Sequence, residues 1–253
     1  EDGQQVEPAA GRVIFRTKDK VRDWRGRPLF PGRDVRPPVV VPLGEEYNRW
    51  YAKVGQLYDS DRRGGAKGRA SGWAKGQALQ WAASSVHAGL GFLVRLAIRR
   101  LRWTLEREAL ENSVAALRPY RGGSPDEPLH AVYDRLEKQV RAQLAQEDTL
   151  GDDEEDLEDE TWVPDRAALE ELLVDGVSLL RSPAAVAKWR ALEPLIEEAG
   201  DERIVFFAQP VETVAVVADF LEQRYGQKPC IIIGDQSEEE RREQVASFQK
   251  DGG

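Results

Sequence analysis

Apolar residues recur at helical spacing through the middle of the chain. Residues 45–58 carry large apolar and aromatic side chains three or four positions apart, the period of one helix face. These are Tyr47, Trp50, Tyr51, Val54 and Tyr58. The same period predicts further helical stretches over residues 73–117, with a break near Ser84 and Ser85, over 127–146 and over 165–180. The block from 45 to 180 is therefore predicted to be mainly helical.

The pattern changes after Ser182, where apolar runs of strand length begin to alternate with helical segments. "RIVFFA" (203–208) and "PCIII" (229–233) are continuous apolar runs, as in strands buried on both faces of a parallel sheet. Helices are predicted before, between and after them. They cover residues 182–199 with a kink at Pro194, 211–226, and 237–250 with a Ser237–Glu240 capping box.

The alternation of helix and strand predicts an α/β fold, a partial parallel sheet preceded by a mainly helical insertion. Two strands are too few for a stable sheet of this kind. A further strand is expected after Gly253, which makes the chain an expected fragment of a longer protein.

The segments flanking the first helix are rich in glycine, proline and basic residues. Val13–Phe15 is a short strand-like run, and residues 22–44 are predicted to be extended chain and turns. Within them, "PPVVVPL" (37–43) is a candidate edge strand. Residues 59–72 are predicted to be a glycine-rich loop.

Charge is unevenly distributed along the 253 residues. The formal net charge is −9, yet residues 147–160 alone contain ten acids and no base. Residues 11–36 and residues 61–103 each hold nine Arg and Lys, against three and one Asp. Basic blocks attract phosphate backbones, so nucleic acid is the expected partner. The acidic run is interpreted as a solvated linker or, alternatively, as a nucleic-acid mimic that masks the basic blocks.

Compartment and membrane association follow from two simple counts. The single cysteine, Cys230, cannot form an internal disulfide, which fits a reducing cytoplasm. No apolar run approaches the roughly 18 residues that a membrane span needs, so no membrane partner is expected. The predicted location is cytoplasmic.

Candidate chemistry is sparse in this sequence. There is no G-x-x-x-x-G-K-[ST] loop, and His87 and His130 are far apart, so no catalytic residue and no metal ligand is assigned. Ligands of parallel sheets bind beyond the carboxyl ends of the strands. That rule singles out Ala208–Gln209–Pro210, which precedes the helix with Thr213, and the segment from Gly234 to Ser237.

Most tryptophans fall at helical core spacings and are interpreted as packing residues. These are Trp50, Trp81, Trp103 and Trp189. Trp24, in the basic segment rich in Pro and Gly, is the exception, because a base could stack on its ring.

Two parts of the chain resemble bacterial Swi/Snf-type superfamily 2 DEAD/DEAH-box helicases. "VIFRTKDKVRDWRGRPLFPGRDV" (13–35) resembles the end of the first RecA-like lobe, with Phe15 where the family has Arg. "EEYNRWYAKV" resembles the helix that follows. "ERIVFFAQPVETVAVVADFLEQRYG" (202–226) resembles motif IV. "IIIGDQSEEERREQVASFQKDG" (231–252) resembles the next segment, with Gly234, Ser237, Arg241 and Phe248 at family positions.

The resemblance implies an arrangement of domains and a function. Residues 1–36 would end lobe 1, residues 37–180 would form a helical inter-lobe insertion with an acidic linker at 147–160, and residues 181–253 would start lobe 2, the helicase C-terminal domain. The implied function is that of an ATP-dependent DNA helicase or translocase, which couples ATP hydrolysis to movement on nucleic acid. ATP and Mg²⁺ would bind motifs outside this sequence, so the chain alone is expected to be inactive as an ATPase.

The resemblance also implies which residues contact nucleic acid, with DNA favoured over RNA. Gln209 and Thr213 are the expected backbone contacts. Arg241 contacts nucleic acid or forms an ion pair with Glu238, and Arg16 and Lys18 face nucleic acid or the inter-lobe cleft. Protein partners are expected on the helical insertion.

Two other classes of function compete with the motor. A non-enzymatic helical module that binds nucleic acid or protein accounts for the basic blocks without catalytic motifs. A different doubly wound enzyme, acting on nucleotide-sugars or phosphates, needs a glycine-rich turn after a strand, which "GDQS" (234–237) fits poorly.

Overall fold

The computed structural model describes residues 21–29, 35–59, 66–121, 126–149, 162–234 and 236–251. Contacts divide the chain into two compact units, residues 1–40 and residues 41–253. The described helices all lie in the second unit. They are α1 Glu45–Gln56, α2 Ala66–Ser84, α3 Val86–Leu101, α4 Glu108–Leu117, α5 Leu129–Thr149, α6 Arg166–Leu180, α7 Ala184–Arg190, α8 Glu193–Ala199, α9 Val211–Tyr225 and α10 Glu238–Asp251. None of these described helices is both long and apolar enough to cross a membrane.

The core of the second unit forms around α3, which contacts α2, α4, α5, α6 and α9. Trp50 from α1 is buried beside it, and its indole Nε1 donates to the Leu172 carbonyl of α6 at 3.0 Å. The Tyr47 hydroxyl donates to the Ala82 carbonyl of α2 at 2.5 Å. These two bonds satisfy the polar atoms of aromatic residues that are otherwise packed in apolar surroundings.

The predicted break at Ser84 and Ser85 is confirmed. Ser85 caps α3, because its backbone is extended and its hydroxyl accepts from the Ala88 N–H at 3.0 Å. A second break, after Leu101, was not predicted. There Arg102 takes a left-handed conformation with φ 55°, and no glycine or proline marks the position.

The predicted α/β fold is wrong for the described residues, which contain helices and no β-strand. Residues 203–208 and 229–233 have no regular secondary structure and no sheet pairing, and residues 37–43, the candidate edge strand, have no regular secondary structure either. The expected buried strand is instead exposed, with Val205 at 60% and Phe207 at 95%. A strand requires a neighbour that supplies backbone hydrogen bonds, and none of the described segments pairs with these two.

The remaining helix predictions differ from the structure mainly at their ends. The predicted single kinked helix is two helices, because α7 ends at Arg190 and Pro194 lies in the first turn of α8. The capping box of α10 is confirmed, since the Glu240 N–H donates to the Ser237 hydroxyl at 3.2 Å and the Ser237 N–H donates to the Glu240 carboxylate at 2.7 Å. Residues 66–72 belong to α2, so the predicted loop is wrong there.

Two further predictions concern segments that lie partly or wholly outside the described residues. Helix α5 extends to Thr149, three residues into the predicted acidic linker, and residues 150–160 lie outside the described ranges. The strand-like run Val13–Phe15 also lies outside them.

In the first unit, the described residues 21–29 form a tight turn closed by an antiparallel bridge between Arg22 and Pro28. The Asp23 carboxylate accepts from the backbone N–H groups of Arg25 and Arg27, at 2.8 and 2.9 Å. Gly26 has φ 78°, a left-handed conformation that favours glycine.

Candidate functional site

A pocket of about 420 Å³ opens where the end of α2, the turn before α9 and residues 232–234 meet. Trp81 and Gln80 come from α2, Gln209 and Pro210 from the turn, and Gly234 from the segment that precedes α10. The two segments singled out by the sequence as ligand-binding edges therefore contribute Gln209 and Gly234 to the same pocket, although no sheet brings them there.

The lining combines flat and apolar surfaces with amide groups. The Trp81 indole, the Pro210 ring and aliphatic side chains form the walls, and Gln80 and Gln209 supply amides that both donate and accept hydrogen bonds. Among the described residues that line the pocket, none is charged. Such a surface suits a flat, uncharged ring with hydrogen-bonding edges better than it suits a phosphate group.

Beneath the pocket, a buried carboxylate joins α9 to α3. Glu212, on the first turn of α9, is 3% exposed and accepts at Oε1 from Arg95 Nη1 at 2.8 Å and from Arg121 Nη1. Burial alone raises the pKa of Glu212, but the charges of Arg95 and Arg121 outweigh it and hold the pKa below its usual range. The carboxylate therefore stays ionised between the two guanidinium groups.

Arg95 links this ion cluster to the pocket wall. Its guanidinium lies over the Trp81 ring, 4.5 Å from the centroid, while the same group binds Glu212. Gly91 makes the approach of Glu212 possible, since a Cβ there would lie 2.7 Å from Glu212 Oε1. The orientation of Trp81 is thus fixed by a cation–π contact and a buried ion pair together.

A cluster of hydroxyl groups fixes the start of α9 against the junction of α2 and α3. The Thr213 hydroxyl is 2.9 Å from the Ser84 hydroxyl and 2.8 Å from the Ser85 hydroxyl. The Ser84 hydroxyl also donates to the Gln209 carbonyl. Thr213 is 2% exposed, and in this structure its hydroxyl bonds to these two serines. The predicted contact of Thr213 with nucleic acid stays a prediction.

Lys188 of α7 completes this junction. Its Nζ donates to the carbonyls of Ala83 and Ser84, at 3.0 and 3.1 Å, where α2 ends. Burial lowers the pKa of Lys188. A cation at the C-terminus of a helix is favourable, so Lys188 stabilises the end of α2 beside the pocket.

Arg241 lies at the pocket rim. It is exposed, and its Nη2 donates to the Gly234 carbonyl at 2.5 Å. The ion pair with Glu238, one of the two alternatives for Arg241, is made by Arg242 instead, at 2.5 Å. Arg241 thereby helps to hold Gly234, a residue of the pocket lining, in place. Arg16 and Lys18 lie outside the described residues, and their roles stay predictions.

The described residues do not fit ATP with Mg²⁺. Nowhere among them do three or more His, Cys, Asp or Glu side chains come together in a group that could hold a metal ion. The pocket lining also offers no charged group to a triphosphate. ATP and Mg²⁺ are therefore assigned to no described residue.

Sequence reasoning missed Trp81, Arg95 and Glu212 as parts of the site. Trp81 was interpreted as a core residue, but it is half-buried and forms a pocket wall. One signal was available. Glu212 stands in the first half of α9, where the residues from Val211 to Ala218 are otherwise apolar apart from Thr213. A carboxylate on a helix face that packs against other helices requires a buried cation.

Comparisons with protein-family models, with curated proteins and with solved structures found no match to this chain.

Proposed function

We propose that this chain binds nucleic acid, with DNA favoured, as part of an ATP-dependent helicase or translocase. One observation carries the proposal. Gln209 and Gly234 come from the two segments that resemble the family's second lobe, and they line one pocket with Arg241 at its rim.

The site offers complementary groups to a nucleotide. The Trp81 ring and the amide of Gln209 suit an uncharged base, and the exposed guanidinium of Arg241 suits a phosphate. Arg241 also donates to the Gly234 carbonyl, so a bound strand is linked through it to the pocket wall.

The role of this chain in such a motor is to hold the strand. Phosphoryl transfer requires a phosphate-binding loop, carboxylates for Mg²⁺ and a charge-stabilising arginine. The described residues supply no acidic cluster of that kind, so the chain alone is expected to hydrolyse no ATP. The proposal includes a cytoplasmic location, supported by the single cysteine, Cys230.

The test is fluorescence anisotropy with a labelled thymidine oligonucleotide about 20 nucleotides long, at about 50 and 200 mM salt. Arg241→Ala should weaken binding and reduce the slope of log affinity against log salt by about 0.7, the value for one phosphate of a single strand. Gln209→Ala should weaken binding without changing the slope. Arg242→Ala is the matched control, because this neighbouring arginine is already paired with Glu238.

Absence of binding by the unaltered chain at the lower salt concentration would overturn the proposal. Equal losses for Arg241→Ala and Arg242→Ala would remove the pocket from it, because a general charge effect would then explain the binding.

A second candidate is a non-enzymatic helical module that binds nucleic acid or protein. The helical architecture of the described residues 41–251, without a strand, favours it. The coding DNA on both sides of the chain separates the two candidates. A continuous frame that encodes a G-x-x-x-x-G-K-[ST] loop and a DEAH-type motif supports the motor. A frame without them supports the module.

A further inference from the structure

Trp24 is displayed on the turn formed by residues 21–29. Its side chain is 86% exposed, although burying an aromatic ring of this size is favourable by a few kcal/mol. Single exposed apolar residues are ordinary on protein surfaces. Here the ring sits on a turn with its own hydrogen-bond network, so its display is a property of an ordered structure.

The turn is ordered chiefly by Asp23. Its Oδ1 accepts from the N–H groups of Arg25 and Arg27, and its Oδ2 accepts from Arg27 Nε at 3.1 Å. The backbone adds bonds from the Asp23 N–H to the Arg27 carbonyl at 2.8 Å and from the Leu29 N–H to the Val21 carbonyl at 3.0 Å. A ligand that binds Trp24 therefore meets a side chain whose backbone is already fixed, which lowers the entropic cost of binding.

The charges around Trp24 indicate what its ring would bind. Within the turn, Arg22, Arg25 and Arg27 flank one carboxylate, Asp23, in the sequence, and the Arg27 side chain forms an ion pair with it. The Arg25 guanidinium lies over the Trp24 ring, 4.3 Å from the centroid. An exposed ring among unbalanced positive charge is complementary to a ligand that carries both flat rings and phosphates.

We propose that the turn at residues 21–29 binds single-stranded nucleic acid by stacking one unpaired base on Trp24. The inference rests on the proposed function, because it presupposes that the chain binds nucleic acid. Arg25 covers one face of the indole, and the exposed part of the ring receives the base. The arginines then lie close to the flanking phosphates. Bases of a duplex are already stacked on each other, so unpaired bases are preferred.

The first test compares two oligonucleotides with equal numbers of phosphates, one intact and one with abasic sites along its length. Trp24→Ala should weaken binding of the intact strand by about 5- to 150-fold, the range for loss of one base–aromatic stack. It should leave binding of the abasic strand and the salt slope unchanged. Trp24→Phe, which keeps a ring, should restore most of the loss.

Tyr225→Ala is the matched control. Tyr225 is 42% exposed and has Arg224 over its ring at 5.7 Å, but Arg224 is paired with Glu193 and no arginine-rich turn surrounds it. This variant should bind both strands as the unaltered chain does.

Asp23→Ala distinguishes stacking on an ordered turn from simple charge attraction. Removing this carboxylate makes the segment more positive, so charge attraction alone predicts tighter binding. Loss of the Asp23 hydrogen bonds releases the turn, so the proposal predicts weaker binding, with a loss that disappears on the abasic strand.

Each outcome supports or overturns the proposal. Equal affinities of Trp24→Ala and the unaltered chain for the intact strand would overturn it and leave the proposed function in place. So would equal affinities of the unaltered chain for the intact and abasic strands. Absence of binding to any strand at about 50 mM salt overturns both together.

Discussion

At the scale of single residues, a cluster of buried charged side chains contacts the wall of the candidate site through Arg95 and Trp81. Glu212, Arg95 and Arg121 place one carboxylate between two guanidinium groups, with side-chain exposures of 5%, 13% and 8%. Burial lowers the pKa of Arg121 to about 10, and Glu212 opposes that shift. Arg121 and Glu212 are therefore charged near neutral pH. Each group of the cluster needs the others to offset its loss of hydration.

Glu212→Gln should destabilise the fold. The amide keeps the shape of the side chain but removes the charge, so two buried guanidinium groups lose their counterion. Breaking a buried pair in this way costs about 3–5 kcal/mol, and urea unfolding measures it. Glu238→Gln is the control, because its pair with Arg242 is about 80% exposed and should leave the transition unchanged. Identical urea midpoints for Glu212→Gln and the unaltered chain would contradict the role of Glu212.

His87 should make stability depend on pH. It is 5% exposed, packs edge-on against Tyr120 with centroids 4.3 Å apart, and its pKa is lowered to about 4 by burial, with Glu212 opposing. The unfolded chain takes up a proton near pH 6.5, whereas the folded chain takes it up only near pH 4. The contribution of neutral His87 to the free energy of unfolding is thus fully present above about pH 6.5. It decreases by about 1.4 kcal/mol for each pH unit below that value.

The check is urea unfolding between pH 6.5 and 5, above the range where most carboxylates titrate. His87→Phe keeps a ring and removes the titrating group, so the free energy of unfolding should lose most of its pH slope. His130→Asn, at an exposed position, should keep the slope of the unaltered chain. Equal slopes for His87→Phe and His130→Asn would show that His87 does not titrate as described.

At the scale of elements, the close packing of α2 against α3 positions the helix end that lines the pocket. A Cβ at Gly89 would lie 2.8 Å from the Ala82 Cα and 2.6 Å from the Trp50 ring. Only glycine lets the two helices come so close just beyond the Ser84–Ser85 junction. The hydroxyl groups of that junction in turn bind Thr213 and the Gln209 carbonyl.

Gly89→Ala should therefore destabilise the protein, although alanine favours helices by about 1 kcal/mol over glycine. The added methyl group meets the backbone of α2, which cannot move aside as a flexible side chain can, and overpacking of this kind costs about 1–3 kcal/mol. Gly76→Ala in α2 is the matched control, since a Cβ there has nothing within 4 Å and should stabilise the fold. Thermal or urea unfolding of both variants should give opposite signs, and equal signs would contradict the packing argument.

The helices could be predicted from the sequence because their signal is local. Tyr47, Trp50 and Val54 show the buried face of α1, and Ser85 and Gly226 mark ends that the structure confirms. The apolar runs at 203–208 and 229–233 show only that both sides of the chain are apolar. Whether such a run becomes a strand depends on a pairing partner elsewhere, which no local pattern specifies.

The candidate site was predictable in part for the same reason. Gln209 and Gly234 were singled out because each lies where an apolar run meets a predicted helix, and both line the pocket. Trp81 and Arg95 belong to the site only because α9 packs against α3, through Glu212. That contact spans more than 100 positions of sequence. Glu212 indicates locally that a buried cation is needed, but no local pattern indicates which residue supplies it.

At the scale of the whole molecule, the formal charge is dominated by one segment. Without the ten acids of residues 147–160, the net charge changes from −9 to +1. The two basic blocks are then the main clusters of charge in the sequence. The proposed nucleic-acid ligand would therefore be repelled by the net charge of the molecule and attracted by its two basic blocks. The two interpretations of the acidic run differ in how it would act on DNA binding. A linker would act through long-range repulsion, and a mimic through direct contact with the basic blocks.

Replacing the ten acids with Asn and Gln separates these interpretations. A solvated linker acts through long-range repulsion, which salt screens over about 10 Å at 0.1 M and over only a few Å near 1 M. The neutralised variant should then bind single-stranded DNA more tightly at about 50 mM salt, with the difference vanishing near 500 mM.

A mimic that contacts the basic blocks competes directly with DNA. In that case a difference persists at the higher salt concentration wherever binding is still measurable, and a peptide of residues 147–160 displaces DNA from the neutralised variant. We expect the linker behaviour, because ten acids without a base repel one another and hold the segment in water. A peptide that displaces DNA more effectively than a scrambled peptide of the same composition would overturn that expectation.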